Sequence, residues 1–280
     1  GTLKGIDEQN KSIALDALYD EEGQLILPER SIEYDILVLA IGSVSNDFGT
    51  PGVKEHSYFL DSLEQAERFH RALLNQMLKL NQPNTQQSMP ERIAYAAKNA
   101  LQKIGVKLYE DTKVTRAEKN GFVTADDELI EADLMVWAAG VKAPNLIKEL
   151  DMFETNRAQQ VLVDPQLRAK NHQDIYVLGD CCAFQQEDGT WVPPRAQSAH
   201  QMASTVYKNI VNQLQGKEFE NYQYSDYGSL VHLSKYSTVG SLMGNLSNSS
   251  MFVEGKLARL VYTSLYSMHQ FAVHGWLKAT

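Results

Sequence analysis

One pattern occurs twice in this sequence: a series of short β segments followed by an apolar strand that ends in Ala-x-Gly. The aligned residues keep a constant offset and pair Asp35 with Asp133, Val38 with Val136, Ala40 with Ala138 and Gly42 with Gly140. An unbroken apolar run predicts a strand that is buried on both faces. The Ala-x-Gly end leaves room for a flat or phosphate-bearing ligand, although a single strand of this kind is usually core. The duplication therefore predicts two related nucleotide-binding halves.

The two apolar strands are predicted at 34–43 and 132–140, and each follows a meander of short strands. The first meander contains Thr2–Ile6, Ser12–Ala17 and Gln24–Leu27, and the second turns at Asn120-Gly121. A third buried strand is predicted at Ile175–Asp180.

Three helices are predicted from capping residues and apolar periodicity. They cover Asp61–Leu80, Pro90–Gly105 and Pro194–Leu214. The third predicted helix has one apolar face, which consists of Ala199, Ala203, Val206, Ile210 and Leu214.

Composition excludes some classes of function. The 280 residues include 26 Lys and Arg against 35 Asp and Glu, which gives a formal net charge of −9. General nucleic-acid binding needs a basic surface, so we expect no nucleic-acid partner. The 43% of hydrophobic residues can bury a large core. No His, Cys, Asp or Glu residues have the spacing of metal ligands, so we expect no metal.

The two cysteines, Cys181 and Cys182, are adjacent. Flavin-dependent disulfide reductases need two cysteines that are separated, commonly as Cys-x-x-Cys. A sulfide-oxidising quinone reductase would need separated cysteines as well. The adjacent pair therefore argues against both activities, and we interpret these cysteines as small buried side chains.

Gly179-Asp180 ends the third predicted strand. At the carboxyl end of a parallel strand, a glycine lets a cofactor approach the backbone, and an Asp carboxylate can accept hydrogen bonds from ribityl hydroxyls. The alternative is that Asp180 only caps a turn. Both interpretations stay open at the level of sequence.

Pro193-Pro194 leads into the third predicted helix. Its first turn would present unpaired amides and a partial positive charge, which would stabilise negative charge on a reduced flavin. Gln197 and Gln201 are four residues apart and share a face that can bind a carbonyl ligand. Ala196 and Ala199 keep the helix slim against a ring system. The alternative for the two glutamines is a polar helix face that is exposed to solvent.

Five stretches together resemble the type II NADH:quinone oxidoreductases, the single-subunit respiratory NADH dehydrogenases. They are Tyr34–Ser43, Leu60–Ser62, Val136–Pro144, Tyr176–Cys181 and Pro193–Ala203. The pattern Ala196-Gln197-x-Ala199-x-Gln201 resembles the flavin- and quinone-contacting helix of that family. The resemblance implies an α/β, two-dinucleotide-binding flavoprotein fold. It would contain FAD- and NAD(P)-binding Rossmann-like domains, both incomplete here, and a C-terminal α+β portion.

The resemblance also implies a function. It is that of an FAD-dependent, non-proton-pumping NADH dehydrogenase that passes two electrons from NADH to membrane quinone in respiration. Gln197 and Gln201 would act in catalysis at the quinone. The implied cofactor-binding residues are Ala40, Gly42, Ala139, Gly140, Gly179, Asp180, Ala196 and Gln197. The enzyme would be peripheral on the cytoplasmic face of the bacterial inner membrane, and a homodimer is left open.

The implied domains divide the chain into four parts. They are 1–62, part of the FAD-binding domain; 63–145, a remnant of the NADH-binding domain; 146–216, a return to the FAD-binding domain; and 217–280, a portion that faces membrane or partner. An apolar stripe in the last part predicts an amphipathic helix at a membrane interface or packed on the protein. Its residues are Leu257, Val261, Leu265, Met268, Ala272 and Trp276.

The family has two Gly-x-Gly-x-x-Gly turns that each receive a pyrophosphate, and none of the 17 glycines here forms this pattern. We expect one turn upstream of Gly1 and the other between Gln87 and Ser88, so that the chain represents part of a larger enzyme.

Two alternatives to the implied function remain. One is an NADH-dependent flavoprotein that reduces a soluble acceptor, and the other is a non-catalytic interaction protein on the same scaffold.

Overall fold

The computed structural model describes residues 2–77, 102, 106–233, 237–243, 250–254 and 264. The chain forms two compact units: Gly1–Asn46 with Gly140–Ser225, and Asp47–Ala139 with Asp226–Thr280. The predicted domain bounds stay a prediction. The predicted helix at Pro90–Gly105 and the apolar stripe from Leu257 to Trp276 lie outside the described residues.

The described strands and helices have the following bounds. In chain order, the strands are β1 (Leu3–Asp7), β2 (Ser12–Leu15), β3 (Leu18–Tyr19), β4 (Leu25–Leu27), β5 (Arg30–Glu33), β6 (Leu37–Leu39), β7 (Val44–Ser45), β8 (Val114–Glu118), β9 (Gly121–Thr124), β10 (Leu129–Glu131), β11 (Val141–Lys142), β12 (Val161–Leu162), β13 (Ile175–Val177), β14 (Cys182–Ala183), β15 (Gly228–Leu233), β16 (Ser237–Met243) and β17 (Ser250–Glu254). The helices are α1 (Val53–His56), α2 (Leu63–Met77), α3 (Leu146–Leu150) and α4 (Ala196–Leu214), and Gly179–Cys181 forms a 3-10 turn.

The first unit begins with the predicted meander, which is confirmed for its first two strands, whereas the strand predicted at Gln24–Leu27 lies outside that sheet. It folds as an antiparallel sheet in the order β1-β2-β5, and β3 and β4 form a separate hairpin. The Asp20 carboxylate closes that hairpin by accepting hydrogen bonds from the backbone N–H groups of Glu22 and Gln24, at 3.0 and 2.7 Å. A short polar side chain that bonds the backbone in this way stabilises a turn.

The core of the first unit is built on β13. Ile175, Tyr176 and Val177 are fully buried. β13 pairs in parallel with β6, which places Ile175 opposite Leu37 and Val177 opposite Leu39. The buried strand predicted from Ile175 is therefore confirmed for its first three residues, and the chain then turns at Gly179–Cys181.

The strand predicted at 34–43 is shorter and less buried than expected. Regular pairing is limited to β6, and Val38 in its centre is 40% exposed. The β6–β13 sheet has two strands, so within the described residues one edge of β6 has no strand beside it. Val38 therefore does not reach the burial on both faces that the apolar run predicts.

The strand predicted at 132–140 is also wrong in its extent, because the structure has a single parallel bridge there. Val136 pairs with Tyr58, and the ladder stops after that one pair. Val38, the aligned residue of the first copy, pairs in parallel with Tyr176. The duplication therefore extends to the pairing of the two valines, each of which lies opposite a tyrosine.

The helix predicted at Pro194–Leu214 is confirmed as α4, which begins two residues later than predicted, but its buried face differs from the predicted one. The buried residues are Ser198, Met202, Val206 and Asn209. Ala203 is exposed, and Leu214 is 78% exposed. Ser198 Oγ donates to the Pro193 carbonyl at 2.8 Å, and the Asn209 amide bonds to backbone groups. Satisfied polar side chains can be buried at little cost, so the apolar pattern alone misplaces the face by about one residue.

The second unit contains the second meander and the C-terminal strands. β8, β9 and β10 form an antiparallel sheet, and the turn predicted at Asn120-Gly121 joins β8 to β9. α1 begins after Gly52, and its Val53 is buried with Ala117 and Trp137. β15, β16 and β17 form an antiparallel three-stranded sheet, which corresponds to the β part of the predicted C-terminal portion.

Candidate functional site

The parallel strands β6 and β13 are each followed by a glycine with a left-handed backbone. Gly42 has φ +68° and Gly179 has φ +76°, values that glycine adopts without strain. A Cβ on Gly42 would meet no atom within 4 Å, so the space beside this residue is open. Ligands of α/β proteins bind at the carboxyl ends of parallel strands. The two glycines therefore lie where a ligand can approach the backbone.

Asp180 follows Gly179 and is half-buried. Ser43 Oγ donates a hydrogen bond of 2.8 Å to Asp180 Oδ2. The Asp180 carbonyl accepts a hydrogen bond of 2.8 Å from Gln160 Nε2. No described residue donates to Asp180 Oδ1 or caps the turn through this carboxylate. Asp180 Oδ1 is therefore placed to accept a hydrogen bond from a ligand hydroxyl.

The first turns of α4 pack against the Gly179 turn. A Cβ on Gly179 would lie 3.7 Å from the Ala199 Cβ, and the Gly179 N–H lies 3.4 Å from Met202 Sδ. Arg195 is the N-cap residue and makes no side-chain capping bond, and Ala196 is the first helical residue. The positive end of the helix dipole thus lies beside the turn that carries Asp180.

Gln197 and Gln201 are the two glutamines of α4 that the sequence predicts to act at the quinone. Both Gln197 and Gln201 are half-buried, whereas the neighbouring His200 is exposed. The Gln201 amide bonds the backbone of Ser225 twice: Oε1 accepts from the Ser225 N–H and Nε2 donates to the Ser225 carbonyl, both at 2.9 Å. The catalytic role of Gln197 and Gln201 stays a prediction, and Gln201 has a structural role in addition.

The remaining predicted cofactor residues lie at the edges of this region. Ala40 is exposed directly after β6. The Gly140 carbonyl accepts a hydrogen bond of 2.8 Å from the Asn46 N–H, beside the antiparallel pair of β7 and β11. Gly140 belongs to the first unit and Ala139 to the second. The placement of Ala139 and Gly140 beside a nicotinamide stays a prediction.

Both cysteines are buried, which confirms their interpretation as packed side chains. Burial raises the pKa of the Cys181 thiol and that of the Cys182 thiol. The thiolate is the reactive form of cysteine, and a raised pKa leaves little of it at neutral pH. The structure therefore gives no support to a redox-active dithiol at this position.

No sequence pattern identifies two of the residues that shape this region. Gln160 contacts the Asp180 turn from a segment without apolar periodicity, and Ser225 contacts Gln201 from an irregular segment after α4. Both contacts join residues 20 or more positions apart. Local pattern analysis does not reach such pairs, so they emerge only from the fold.

Comparison with known proteins identifies the family. Residues 3–81 and 79–203 match the pyridine nucleotide-disulphide oxidoreductase family. The chain is 32% identical to the type II NADH:quinone oxidoreductase of Haemophilus influenzae over 346 positions, which cover 99% of this chain and 78% of that protein. The chain belongs to the type II NADH:quinone oxidoreductase family. The type II NADH:quinone oxidoreductase of Staphylococcus aureus is 24% identical over 76% of this chain and 66% of that protein.

Solved structures show the same fold as this chain. NDH2 from Plasmodium falciparum, solved with NADH, superposes with a TM-score of 0.76 at 14% identity and covers 95% of this chain and 79% of that chain. The sulfide:quinone oxidoreductase of Aquifex aeolicus has a TM-score of 0.70 at 15% identity, over 94% of this chain and 72% of that chain. The predicted α/β flavoprotein fold is confirmed.

Family membership confirms the predicted enzyme class, an FAD-dependent NADH dehydrogenase of the type II quinone-reducing family. Among the described helices, none is long and apolar enough to cross a membrane. In the described part of the chain, no three His, Cys, Asp or Glu side chains lie close enough together to hold a metal ion.

The residues of the first unit fit the ribityl and flavin part of FAD. Asp180 Oδ1 has the acceptor chemistry that ribityl hydroxyls need, and the open space beside Gly42 gives a planar group access to the backbone. The helix start at Ala196 supplies partial positive charge.

Proposed function

We propose that this chain transfers two electrons from NADH to a membrane quinone through FAD bound where β6 and β13 end. Asp180 would accept a hydrogen bond from the ribityl chain, and the start of α4 would face the pyrimidine end of the flavin. The observation that carries this proposal is the orientation of Asp180: Ser43 holds Oδ2, and Oδ1 is left for a ligand, next to the positive end of α4.

Bound FAD would supply the redox chemistry, and the protein would supply position and charge. The amides and dipole at the start of α4 stabilise negative charge placed near them, which favours the two-electron-reduced state. The Gln197 amide would donate a hydrogen bond to a quinone carbonyl and so orient the ring. Gln201 would border the same pocket while its amide holds Ser225 in place.

The nicotinamide of NADH would lie beside Ala139 and Gly140. We further propose that the enzyme binds the membrane surface peripherally, on its cytoplasmic side, through residues 217–280. The support for this attachment is family membership, because a quinone acceptor is held in the bilayer, together with the apolar stripe of the C-terminal sequence.

The proposed role of Gln197 and Gln201 at the quinone is tested by comparing the rates at which two different electron acceptors are reduced. With purified full-length protein, NADH should bleach the flavin absorbance, and a soluble quinone analogue should restore it. Gln197→Ala should lower the rate of quinone reduction at least about fivefold more than the rate of ferricyanide reduction, because a lost hydrogen bond to the acceptor affects only the step that needs it. Gln201→Ala should show the same preference, with an added loss of stability.

Gln215→Ala is the matched control, since Gln215 is exposed at the opposite end of α4. It should leave both rates unchanged. Equal loss of both rates in Gln197→Ala would contradict a quinone pocket at this face. Failure of the full-length protein to bind vesicles or reduce quinone would favour a soluble acceptor, and an absence of flavin would favour a non-catalytic protein.

A further inference from the structure

Gln160 makes a side-chain hydrogen bond to the backbone of the Asp180 turn. Its Nε2 donates to the Asp180 carbonyl at 2.8 Å and lies 3.4 Å from the Cys182 carbonyl. The position of Gln160 follows from strand pairing, because β12 begins at the next residue and pairs in parallel with β14, with Val161 opposite Cys182. The side chain therefore bridges the two carbonyls that flank the buried Cys181.

The Gln160 amide is itself oriented by Asn156. Asn156 Nδ2 donates to Gln160 Oε1 at 2.8 Å, and Asn156 Oδ1 accepts from the backbone N–H groups of Ala158 and Gln160 at 2.9 and 3.1 Å. Since Oε1 is engaged by a donor, Nε2 must face the two carbonyls. Gln159, between these residues, has a left-handed φ of +61°, and such backbone conformations recur next to functional sites.

Ser43 completes the arrangement from the other strand. Its hydroxyl holds Asp180 Oδ2, whereas Gln160 holds the Asp180 backbone. The carboxylate and the main chain of one residue are thus fixed from two separate segments. Of the two carboxylate oxygens of Asp180, Oδ1 is the one that receives no hydrogen bond from a described residue.

We propose that Gln160 is a positioning residue for flavin binding, which fixes the Asp180 turn so that Oδ1 meets a ribityl hydroxyl. The inference rests on the proposed role of Asp180 and extends it to a residue outside the ligand site. Gln160 makes no contact with the ligand in this arrangement. Its effect on FAD affinity passes through Asp180, so the two residues behave as a coupled pair.

A double-mutant cycle on FAD binding tests the inference. Apo-protein made from the full-length chain is titrated with FAD, and the quench of flavin fluorescence gives Kd for wild type, Gln160→Met, Asp180→Ala and the double variant. Methionine keeps the length of the side chain and removes the donor. Gln160→Met should raise Kd about fivefold, the effect of one hydrogen bond. Asp180→Ala should raise Kd more, and the double variant should match Asp180→Ala alone.

Gln185→Met is the matched control, because Gln185 Nε2 also donates to a backbone carbonyl, that of Gly189, at 2.9 Å in an exposed turn. It should leave Kd unchanged. If Gln160→Met does not fold, Asn156→Asp replaces it: this variant keeps the Oδ1 acceptor and puts a carboxylate oxygen in place of the Nδ2 donor that orients Gln160, and should raise Kd about twofold to threefold.

The outcomes separate the inference from the proposed function. A wild-type Kd in Gln160→Met, or additive effects in the double variant, overturns the positioning role of Gln160 and leaves the proposed flavin contact of Asp180 intact. A wild-type Kd in Asp180→Ala overturns the proposed flavin contact of Asp180, and the inference fails with it.

Discussion

Gln201 and Ser225 are joined by a pair of hydrogen bonds, in which the side-chain amide of Gln201 bonds both the N–H and the carbonyl of Ser225 at 2.9 Å. The pair fastens the segment that follows α4 back onto the helix. Gln201→Glu removes the Nε2 donor and places a carboxylate oxygen against the Ser225 carbonyl. We expect the free energy of unfolding to fall by about 1–2 kcal/mol, measured by urea denaturation.

The control for this variant is Gln215→Glu, at the exposed end of the same helix. It makes the same chemical change without a backbone partner of this kind and should change stability by less than about 0.5 kcal/mol. Equal effects of the two substitutions would show that the Ser225 contact contributes nothing.

Asn209 is fully buried on α4 and joins three backbone groups. Its Nδ2 donates to the carbonyls of Gln166 and Glu220 at 3.3 and 2.9 Å, and its Oδ1 accepts from the Glu220 N–H at 2.7 Å. Asn209→Leu has a similar volume but leaves these groups without partners. We expect a loss of about 2–4 kcal/mol in the free energy of unfolding.

Asn212→Ala provides the comparison for Asn209→Leu, since Asn212 makes one exposed bond, to the Glu218 carbonyl at 3.0 Å. It should cost about 1 kcal/mol or less. An Asn209→Leu protein as stable as wild type would mean that water satisfies the three backbone groups after the substitution.

These same residues show how far the sequence predicts the fold. The buried strand at Ile175 and the long helix of α4 have strong local patterns and are correctly predicted. The buried face of α4 is misplaced because Ser198 and Asn209 enter the core with hydrogen bonds that periodicity does not register. A polar residue looks solvent-facing until its tertiary partner is known.

The candidate site, like the fold, is predicted from the sequence only in part. Gly179-Asp180 and the start of α4 are found from motif and family resemblance, because each lies at the end of one predictable element. Gln160 is not found, because its role depends on the register of β12 against β14. The length of the strand predicted at 34–43 is overestimated for a related reason. An apolar run indicates that a strand can be buried, whereas Val38 is buried only if another element covers it.

Gly52 meets a neighbouring backbone in the second unit. It has φ +75°, and a Cβ at this position would collide with the Ala117 carbonyl oxygen, which is held in place because the Ala117 N–H bonds the Pro51 carbonyl at 2.9 Å. Gly52→Ala should therefore destabilise by about 3 kcal/mol or more, through both strain and steric conflict. Thermal unfolding monitored by circular dichroism measures the loss.

Gly49→Ala isolates the conformational part of that effect. Gly49 has φ +69°, but a Cβ at this position would meet no atom within 4 Å. The cost should be about 1 kcal/mol, the strain of a left-handed alanine alone. Similar losses in both variants would contradict the close approach of Ala117 to Gly52.

The cysteine pair should be unreactive in the folded protein. Both thiols are buried, and burial raises the pKa of each thiol, so the thiolate is scarce and shielded at pH 8. A thiol reagent should label neither cysteine in native protein and both in guanidinium. Ser204→Cys, at an exposed position on α4, should label at once and so validates the reagent. Rapid labelling of native wild type would contradict the burial.

The same burial predicts a pH dependence of stability. In the unfolded chain the thiols ionise above about pH 8.5, whereas their raised pKa keeps them protonated in the folded protein. The folded state then binds more protons than the unfolded state, so the free energy of unfolding falls as pH rises from about 8.5 toward the folded pKa. Urea denaturation between pH 7 and pH 10 measures this slope. Cys182→Ala should make the slope shallower, because one of the two ionising thiols is removed. An unchanged slope in that variant would assign the alkaline loss of stability to other groups.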